Sequence, residues 1–461
     1  MPAAILLYSD LRPRFEIDIL RMPMRTAVWT LRSLSSSNIL RQAGWLAAAK
    51  IVQGVASIAA TVVVARHLGP STFGVLSLAC ATAVFVGSIA NLGLEHIAIR
   101  ELSTTSPSDR APMLSTLRRL RCVGALVGVA GLLVISITSA ANSYGMSGLL
   151  LILCLLPLAQ LGDVSEWRLV ATGNSRSVAI ATALSSPLMA MARLGFALID
   201  SGVSVFAWLL ICEWALRSIL LALATREHKA IVPDPNVPFW ASSMALLRES
   251  VPLLLSGIAV FIYMRIDQFM LAAMLGAHEV GLYSAVVALA EVPLVLPALL
   301  LRAALPTLTR QSESDPALRD RTLTVLMRSG FYLHLAVAVV AALLAQPLVD
   351  LLYGDAFDEA VLALRIQVLA APFVALGVLS SSWFVLERRT GHALRRTMIG
   401  AVLNVVLNLF TIPRYGIAGA AISTLVAQVT ATYLADLLHP HTRALFRLKT
   451  HAFLPRIGGK S

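Results

Sequence analysis

The chain consists of long apolar runs separated by short polar stretches. Runs such as 251–264 and 331–344 contain no Asp, Glu, Lys or Arg, whereas a helix on a soluble protein shows a polar face at every turn. A helix needs about 20 apolar residues to cross the hydrocarbon of a bilayer. The pattern therefore predicts an all-α polytopic membrane protein with about 12 transmembrane helices. The predicted spans lie near residues 45–65, 73–94, 122–140, 147–165, 177–199, 204–225, 251–274, 281–303, 329–348, 361–384, 397–412 and 417–438.

Composition also indicates a membrane protein, and the residue pattern argues against a disulfide-bonded, metal-binding or ATP-binding protein. Of the 461 residues, 57% are hydrophobic and 13% are charged, and that charged share is roughly half of what soluble domains carry. The four cysteines lie within apolar runs without CxxC spacing, and the nine histidines form no HExxH motif. We therefore predict no disulfide, no metal site and no cofactor. Gly459-Lys460-Ser461 has Leu454 where a phosphate loop has glycine, so ATP binding is not indicated.

The distribution of lysine and arginine predicts the orientation, because positive residues resist translocation. Thirty of the 37 fall in the two terminal tails and in the connections that follow even-numbered spans, whereas Arg66 and Arg414 fall in the opposite set. Both termini are therefore predicted to be cytoplasmic, in an inner (cytoplasmic) membrane. This topology, with contact to anionic lipid headgroups, explains the net charge of +12, so nucleic acid is not predicted as a partner.

The spans divide the chain into two halves with basic flanking segments. Residues 1–44 lack a continuous apolar run before a small-residue cleavage site, so we expect a tail and no signal peptide. The predicted units are a cytoplasmic N-terminal tail at 1–44, an N-terminal six-helix lobe at 45–225, a cytoplasmic linker at 226–250, a C-terminal six-helix lobe at 251–438 and a cytoplasmic C-terminal tail at 439–461.

A short motif occurs once in each half, in the loop between the first two spans of that half. Five of its residues recur at one constant offset, namely Ala65, Leu68, Gly69, Gly74 and Ser77, which match Ala272, Leu275, Gly276, Gly281 and Ser284. Because six spans separate the copies, both have the same orientation, which predicts two lobes related by an axis along the membrane normal. We interpret the glycines as residues of tight turns, and the cleft between the lobes as the substrate path.

Longer stretches extend this motif into a family resemblance. They are ARHLGPSTFGVLSLA and NLGLEHIAIREL in the first half, and RIDQFMLAAMLGAHEVGLYSAVVALAE, LLYGDAF and IPRYGIAGAAIST in the second. From about residue 40 to 438 the chain resembles the Wzx-type polysaccharide (O-antigen) flippases, whose superfamily includes the MATE drug exporters and the MurJ-type lipid II flippases. MurJ-type proteins have two additional C-terminal spans, whereas twelve spans are predicted here.

The resemblance implies transport of an oligosaccharide linked to undecaprenyl diphosphate from the cytoplasmic to the periplasmic face, by alternating access of the two lobes. The implied partners are this lipid-linked oligosaccharide, membrane lipids, and polysaccharide polymerase and export machinery. Two alternatives remain open. A MATE-like ion-coupled exporter of small molecules would favour an acidic, aromatic-rich cavity. A membrane-embedded glycan polymerase or ligase would display a large extracytoplasmic loop, and the predicted loops are short, so we do not predict an enzyme.

The candidate site residues are the charged residues within or beside the spans, since a basic residue at mid-span costs about 2.5 to 3.5 kcal/mol on insertion scales. Arg265 and Asp267 lie in the seventh span, two residues apart, and such residues do not face each other on a helix. We expect Arg265 to bind the diphosphate, and Asp267 to bind a coupling ion or another helix. The alternative for Arg265 is an interhelical ion pair that fixes the lobe.

Two further candidates lie in the fifth and sixth predicted spans. Arg193 is a second candidate diphosphate contact, or pairs with Glu213, which is itself a candidate for ion coupling. Glu213 and Arg217 are spaced i, i+4, which favours a local salt bridge.

Lys50 is another candidate substrate contact, near the start of the first span, from where its side chain can also extend toward the cytoplasmic headgroups. Arg100 either receives the substrate headgroup or belongs to a solvated helix end. Glu291 lies in mid-span, where a carboxylate needs a proton or a partner, so we expect it to couple ion movement to motion of the lobes.

Overall fold

The computed structural model describes residues 38–106, 110–225, 239–387 and 389–453, and the regular elements within these ranges are all helical. The α-helices of the first half are α1 (Asn38–Ala90), α2 (Glu95–Thr104), α3 (Arg110–Ser136), α4 (Ser139–Ser143), α5 (Ser147–Leu153), α6 (Leu156–Ala159), α7 (Asp163–Ala171), α8 (Ser175–Leu198) and α9 (Val203–Ala224). Those that follow are α10 (Phe239–Met274), α11 (Ala277–Ala290), α12 (Val295–Ser314), α13 (Pro316–Leu343), α14 (Ala345–Leu352), α15 (Ala360–Gln367), α16 (Ala371–Leu379), α17 (Ser381–Leu386), α18 (Thr390–Thr432) and α19 (Arg443–Phe453). Short 3₁₀ turns occupy Gln160–Gly162, Val292–Leu294, Asp355–Phe357, Val368–Ala370, Leu434–Leu438 and Pro440–Thr442.

Most of the predicted tails and linker, at 1–37, 226–238 and 454–461, lies outside the described residues. The helix of the seventh predicted span begins at Phe239, inside the predicted linker. Residues 443–453 of the predicted C-terminal tail form the helix α19.

Ten helical segments of the described residues are long and apolar enough to cross a membrane. One of them runs for 61 residues, from Gly44 to Thr104. At about 1.5 Å per residue it is far longer than a single crossing of about 30 Å requires. The backbone of α1 leaves helical geometry at Gly69 (φ 69°), and that of α18 does so at Gly416 (φ 56°). Both breaks fall where the apolar pattern predicts a short loop, and glycine accepts the positive φ without steric cost.

The eighth predicted span is not one continuous helix. Helix α11 ends at Ala290, and Glu291 leads into the 3₁₀ turn Val292–Leu294 before α12 begins. Pro293 lacks a backbone N–H and therefore cannot continue the regular hydrogen-bonding pattern. Glu291 consequently lies at a break in the middle of an apolar segment.

The two copies of the repeated motif pack against each other across the two halves. A Cβ atom on Gly74 would lie 1.8 Å from the carbonyl oxygen of Ala277, and one on Gly281 would lie 1.9 Å from that of Pro70. Glycine therefore lets the backbones of α1 and α11 touch, as small residues do where membrane helices cross. The turn interpretation fits Gly69 and also Gly276, whose φ is 101°. It is wrong for Gly74 and Gly281, which lie inside helices.

We call the end of the bundle with the breaks at Gly69 and Gly416 the short-loop end. There a single apolar core joins both halves, and it includes Phe73 from the first half and Val280 from the second. Arg66 also donates to the Leu351 carbonyl oxygen at 3.1 Å, across the halves. At the opposite end the buried apolar residues form separate clusters, most of which belong to one half. The halves are thus joined broadly at the short-loop end and narrowly at the other.

Helix α19 covers this opposite end of the second half. Its Lys449 is fully buried and donates to Asp436 at 2.6 Å and to the Thr432 carbonyl oxygen at 2.6 Å. Burial lowers the pKa of Lys449 to about 8, which Asp436 opposes and Arg396 reinforces. The ammonium is therefore mostly charged at neutral pH and anchors the helix to the end of α18.

The glycine crossing gives a first prediction. We expect Gly74→Ala and Gly281→Ala to push the halves apart at the short-loop end, because each added methyl group would overlap backbone atoms. The measurement is disulfide formation between cysteines at positions 71 and 278, where Ser71 Oγ and His278 Nδ1 lie 3.2 Å apart, in a background without the four native cysteines. Crosslinking should fall severalfold in both glycine variants.

The matched control is Gly195→Ala, because a Cβ atom at this helical glycine meets nothing within 4 Å. Crosslinking in this control should equal that of the parent protein. Equal crosslinking in all three glycine variants would contradict the crossing.

Candidate functional site

Arg265 lies on the face of α10 that is directed at the first half of the chain. Phe261, one helical turn earlier on the same face, packs on Phe85 of α1 with ring centroids 5.1 Å apart. The Arg265 guanidinium donates to Glu291 Oε2 at 3.2 Å. Their side chains are 31% and 36% exposed, so this ion pair is the most open of the interhelical pairs described here within a predicted span. The interhelical ion pair expected as the alternative role of Arg265 is therefore present, with Glu291 as a partner that the sequence did not identify.

Asp267 is buried in the second half among neutral polar side chains. Its Oδ2 accepts from Tyr283 at 2.8 Å and from Thr424 at 2.7 Å, and its Oδ1 accepts from Asn408. Asp267 therefore binds other helices, which was one of the two roles expected of it. Three donors can satisfy an ionised carboxylate without a cationic partner.

Two asparagines on α18 complete this cluster. Asn404 and Asn408, spaced i, i+4 on one face, are both buried. The Asn408 amide also donates to Asn404 Oδ1 at 3.2 Å, while its own Oδ1 is buried with no hydrogen-bond partner in the described structure. Sequence reasoning missed both residues because it considered charged side chains, although two amides one turn apart in an apolar run are a usable signal.

A cavity of about 50 Å³ connects Glu291 to the Asp267 cluster. Its polar lining residues are Tyr263, Asp267, Tyr283, Glu291, Gln367, Thr424 and Gln428. The Tyr263 hydroxyl and Gln367 Oε1 are buried and have no partner in the described structure. A water molecule needs roughly 10 to 15 Å³ of such space and two to four polar partners. The cavity is therefore large and polar enough for an ion or for water.

Two arginines within the predicted spans of the first half form interhelical ion pairs. Arg193 on α8 donates to Glu213 on α9 at 2.7 Å, and Arg217 on α9 donates to Glu166 on α7 at 2.7 Å. The predicted local bridge between Glu213 and Arg217 is therefore wrong, whereas the alternative expected for Arg193 is present. A surface i, i+4 pair is worth only about 0.2–0.5 kcal/mol, so partners on facing helices prevail where the charges are largely buried.

Lys50 has no ion-pair partner within the described residues. Its ammonium donates to Gln53 one turn away at 3.1 Å and is exposed. Arg217 and Glu166 of the first half and Arg302 of the second act electrostatically on it. Lys50 thus lies where charges from both halves meet, although the structure does not place it against the Arg265–Glu291 pair.

Arg100 forms the contact between the halves opposite the short-loop end. Its guanidinium binds both carboxylate oxygens of Glu249 on α10, with Nη2 at 2.9 Å from Oε2, and Nη2 also lies 2.7 Å from Glu101 Oε1. Beside it, a Cβ atom on Gly93 would lie 2.7 Å from the backbone nitrogen of Leu254. Arg100 is 53% exposed, as expected of a solvated helix end, and it also binds a carboxylate from the other half.

A family model described as "Polysaccharide biosynthesis protein" matches residues 63–362 of this chain. The match spans both copies of the motif and includes Arg265, Asp267 and Glu291. The chain belongs to the polysaccharide biosynthesis protein family.

Two relatives agree with membership of this family. A Shigella flexneri protein described as an O-antigen transporter is 25% identical over 405 residues, which cover 81% of this chain and 91% of the relative. The succinoglycan biosynthesis transport protein ExoT of Rhizobium meliloti (strain 1021) is 25% identical over 265 residues, or 57% of this chain and 51% of the relative. Both relatives are described as transport proteins, and this member of the polysaccharide biosynthesis protein family has ten described helical segments long and apolar enough to cross a membrane.

Solved structures support the fold. A multidrug resistance MATE family transporter of the MOP superfamily, in an inward-facing conformation, superposes with a TM-score of 0.70 at 16% identity, covering 88% of this chain and 99% of the other. The lipid II flippase MurJ, in an inward closed conformation, gives 0.69 at 14% identity, covering 88% and 89%. At these identities the likeness concerns the fold, which this chain shares with both structures.

The pairing in the first half can be tested by exchanging the charges. We expect Arg193→Ala alone and Glu213→Ala alone each to lower thermal stability in detergent, because each leaves an unpaired charge largely buried. Breaking a buried pair typically costs about 3–5 kcal/mol.

The double variant Arg193→Ala/Glu213→Ala should be more stable than either single variant and should retain transport. Loss of transport in a stable double variant would show that Arg193 has a role beyond the ion pair.

Proposed function

We propose that this protein is a flippase for an oligosaccharide linked to undecaprenyl diphosphate. It moves this lipid from the cytoplasmic to the periplasmic face of the inner membrane during synthesis of a surface or exopolysaccharide. The observation that carries the proposal is the partly exposed Arg265–Glu291 pair, on a face of α10 directed at the other half. Membership of the polysaccharide biosynthesis protein family supports the same substrate class.

The chemistry of the substrate explains why such a pair is needed. A diphosphate and several sugars would lose all hydration in hydrocarbon, and each unsatisfied group would cost several kcal/mol. A guanidinium binds phosphate oxygens through two parallel N–H donors. Arg265 presents its guanidinium on the face of α10 that is directed at the first half. Its partner in the structure, Glu291, is exchangeable because both side chains are about one third exposed.

The proposed topology has twelve spans in two six-helix lobes. Counting the segments on either side of Gly69 and Gly416 separately turns the ten long helical segments into twelve. The excess of lysine and arginine opposite the short-loop end favours a cytoplasmic location for both termini. The short-loop end is then periplasmic.

Alternating access in this topology means opening one end while the other stays closed. The periplasmic closure is the crossing of Gly74 and Gly281 together with the shared apolar core. The cytoplasmic closure is smaller and consists of the Arg100–Glu249 ion pair and the contact of Gly93 with α10. Lys50, at the cytoplasmic end, would meet the diphosphate first.

We further propose that Asp267 binds a coupling cation. Its carboxylate, Thr424 Oγ1 and the unpartnered Asn408 Oδ1 are oxygen ligands, which hard cations prefer. The cavity of about 50 Å³ beside it is small against the roughly 300–1,000 Å³ of small-molecule sites.

The two acids and two tyrosines that line this cavity would suit a second candidate, ion-coupled export of small molecules, whereas the guanidinium of Arg265 beside Glu291 favours an anionic substrate. Flipping itself breaks no covalent bond, so the proposed protein is not an enzyme. A polysaccharide polymerase and export machinery would use its product.

The substrate proposal is tested by replacing the chromosomal copy with variants and measuring the lipid-linked repeat unit on each membrane face. We expect Arg265→Ala to cause accumulation on the cytoplasmic face, with polymer reduced at least tenfold. Arg265→Lys should be intermediate, because an ammonium keeps the charge but loses the paired N–H geometry.

The control is Arg365→Ala, since Arg365 is an exposed arginine in another predicted span. Normal flipping in both Arg265 variants would remove Arg265 from the substrate path. Unchanged lipid-linked intermediates after deletion of the protein would reject the proposed function.

The cation proposal is tested on purified protein by thermal unfolding at constant ionic strength, with sodium exchanged for potassium, and separately by lowering the pH. We expect saturable stabilisation by sodium or by protons in the parent protein, because a ligand that binds the folded state raises its stability. Asp267→Asn should abolish it.

Asp350→Asn, at an exposed carboxylate, is the control and should keep the full response. A response that survives in Asp267→Asn would place the cation elsewhere.

A further inference from the structure

The carboxylate of Glu291 belongs to two sites at once. It holds the guanidinium of Arg265 at 3.2 Å, and it lines the cavity that leads to Asp267. One face of Glu291 therefore meets the proposed diphosphate site, and the other meets the proposed cation site. A side chain in this position can bind in only one of the two directions with full strength.

The backbone at Glu291 is suited to such a change of partner. The residue lies after the last turn of α11, and the 3₁₀ turn Val292–Leu294 separates it from α12. Short 3₁₀ stretches in the middle of a helical segment often mark hinges. The Glu291 side chain is 36% exposed, so no close packing holds it against Arg265.

Polar groups that line the cavity are placed to receive the charged carboxylate of Glu291. The Tyr263 hydroxyl and Gln367 Oε1 are buried without partners in the part of the chain that the structure describes, and both residues line the same cavity as Glu291. A hydrated cation between Glu291 and Asp267 would provide hydrogen-bond partners for them. Those buried polar groups would otherwise remain unsatisfied, which destabilises the fold.

We propose that Glu291 couples the two sites by exchanging partners. A diphosphate that binds Arg265 displaces Glu291, whose released carboxylate then turns to the cavity and attracts a monovalent cation. The cation and the diphosphate therefore bind with positive cooperativity, and by linkage each raises the affinity of the other by the same factor. This inference rests on the proposed function, because it takes the diphosphate and the cation as the two ligands.

The mechanism makes Glu291 a positioning residue for both ligands. Without cation or diphosphate, the Arg265–Glu291 pair neutralises itself, and neither ligand finds a free opposite charge. Binding of either one releases the charge that the other needs. The protein with neither ligand and the protein with both ligands are favoured over the protein with one. This preference prevents the transport of either the diphosphate or the cation alone.

The experiment measures binding of farnesyl diphosphate, a short polyprenyl diphosphate, to purified full-length protein in nanodiscs. Titrations are run in sodium and in potassium at equal ionic strength. We expect the parent protein to bind at least about fivefold more tightly in sodium, the lower end of typical coupling between sites. Glu291→Gln should bind in potassium at least as tightly as the parent protein does, because Arg265 is already free, and sodium should add nothing.

A second variant checks the coupling from the other site. In Arg265→Gln, Glu291 has no cationic partner, so sodium binding should be as tight as in the diphosphate-loaded parent protein and should not respond to farnesyl diphosphate. Glu359→Gln is the control for removing an acid, since Glu359 is exposed in the same half, and it should retain the coupling.

The outcomes separate the inference from the proposed function. Tight binding of farnesyl diphosphate that is equal in sodium and potassium would overturn the partner exchange and leave the diphosphate site standing. Coupling that persists in Glu291→Gln would overturn it as well. No binding of farnesyl diphosphate in either salt would overturn both the diphosphate site at Arg265 and the coupling.

Discussion

The constraint that organises this protein is the absence of water inside an apolar helical bundle. A charged side chain there is stable only if another helix supplies its partner. Arg121 with Asp163, Arg193 with Glu213 and Arg217 with Glu166 meet this requirement with guanidinium groups that are 1–12% exposed. The Arg265–Glu291 pair meets it more loosely, with both groups about one third exposed. The three tight pairs are enclosed within the first half. The looser Arg265–Glu291 pair also lies within one half, but it faces the region between the halves.

Duplication of the motif gave the protein two different uses of glycine. Gly69 and Gly276 provide the positive φ that a tight loop requires. Gly74 and Gly281 lie five residues later in each copy and bring two helices into backbone contact across the halves. Since the two copies contact each other, a change in one alters the interface of both. The repeat is therefore a structural contact as well as a record of ancestry.

Much of the fold could be predicted from sequence, because apolar length and the distribution of arginine act locally along the chain. Arg265 could be identified as a candidate because a cation in an apolar run is conspicuous. Its partner could not be identified, since Glu291 follows 26 residues later, at the break after α11, and only packing shows that they meet. The bridge predicted between Glu213 and Arg217 failed for the same reason, because sequence spacing reports neighbours on one helix and says nothing of facing helices. Asn404 and Asn408 of α18 are neutral, so they do not stand out from the apolar run as a charged residue does.

The placement of α19 has a consequence for how the protein is made. Its anchoring residue, Lys449, binds the end of α18 and Asp436. Chains fold from the N-terminus during synthesis, so this contact forms only after the helices it covers have been inserted. Until α19 has been synthesised, the Asp436 carboxylate lacks its Lys449 partner and that surface of the second half is uncovered. Membrane insertion of the helices and the covering of this surface are therefore separate events, and the second requires α19.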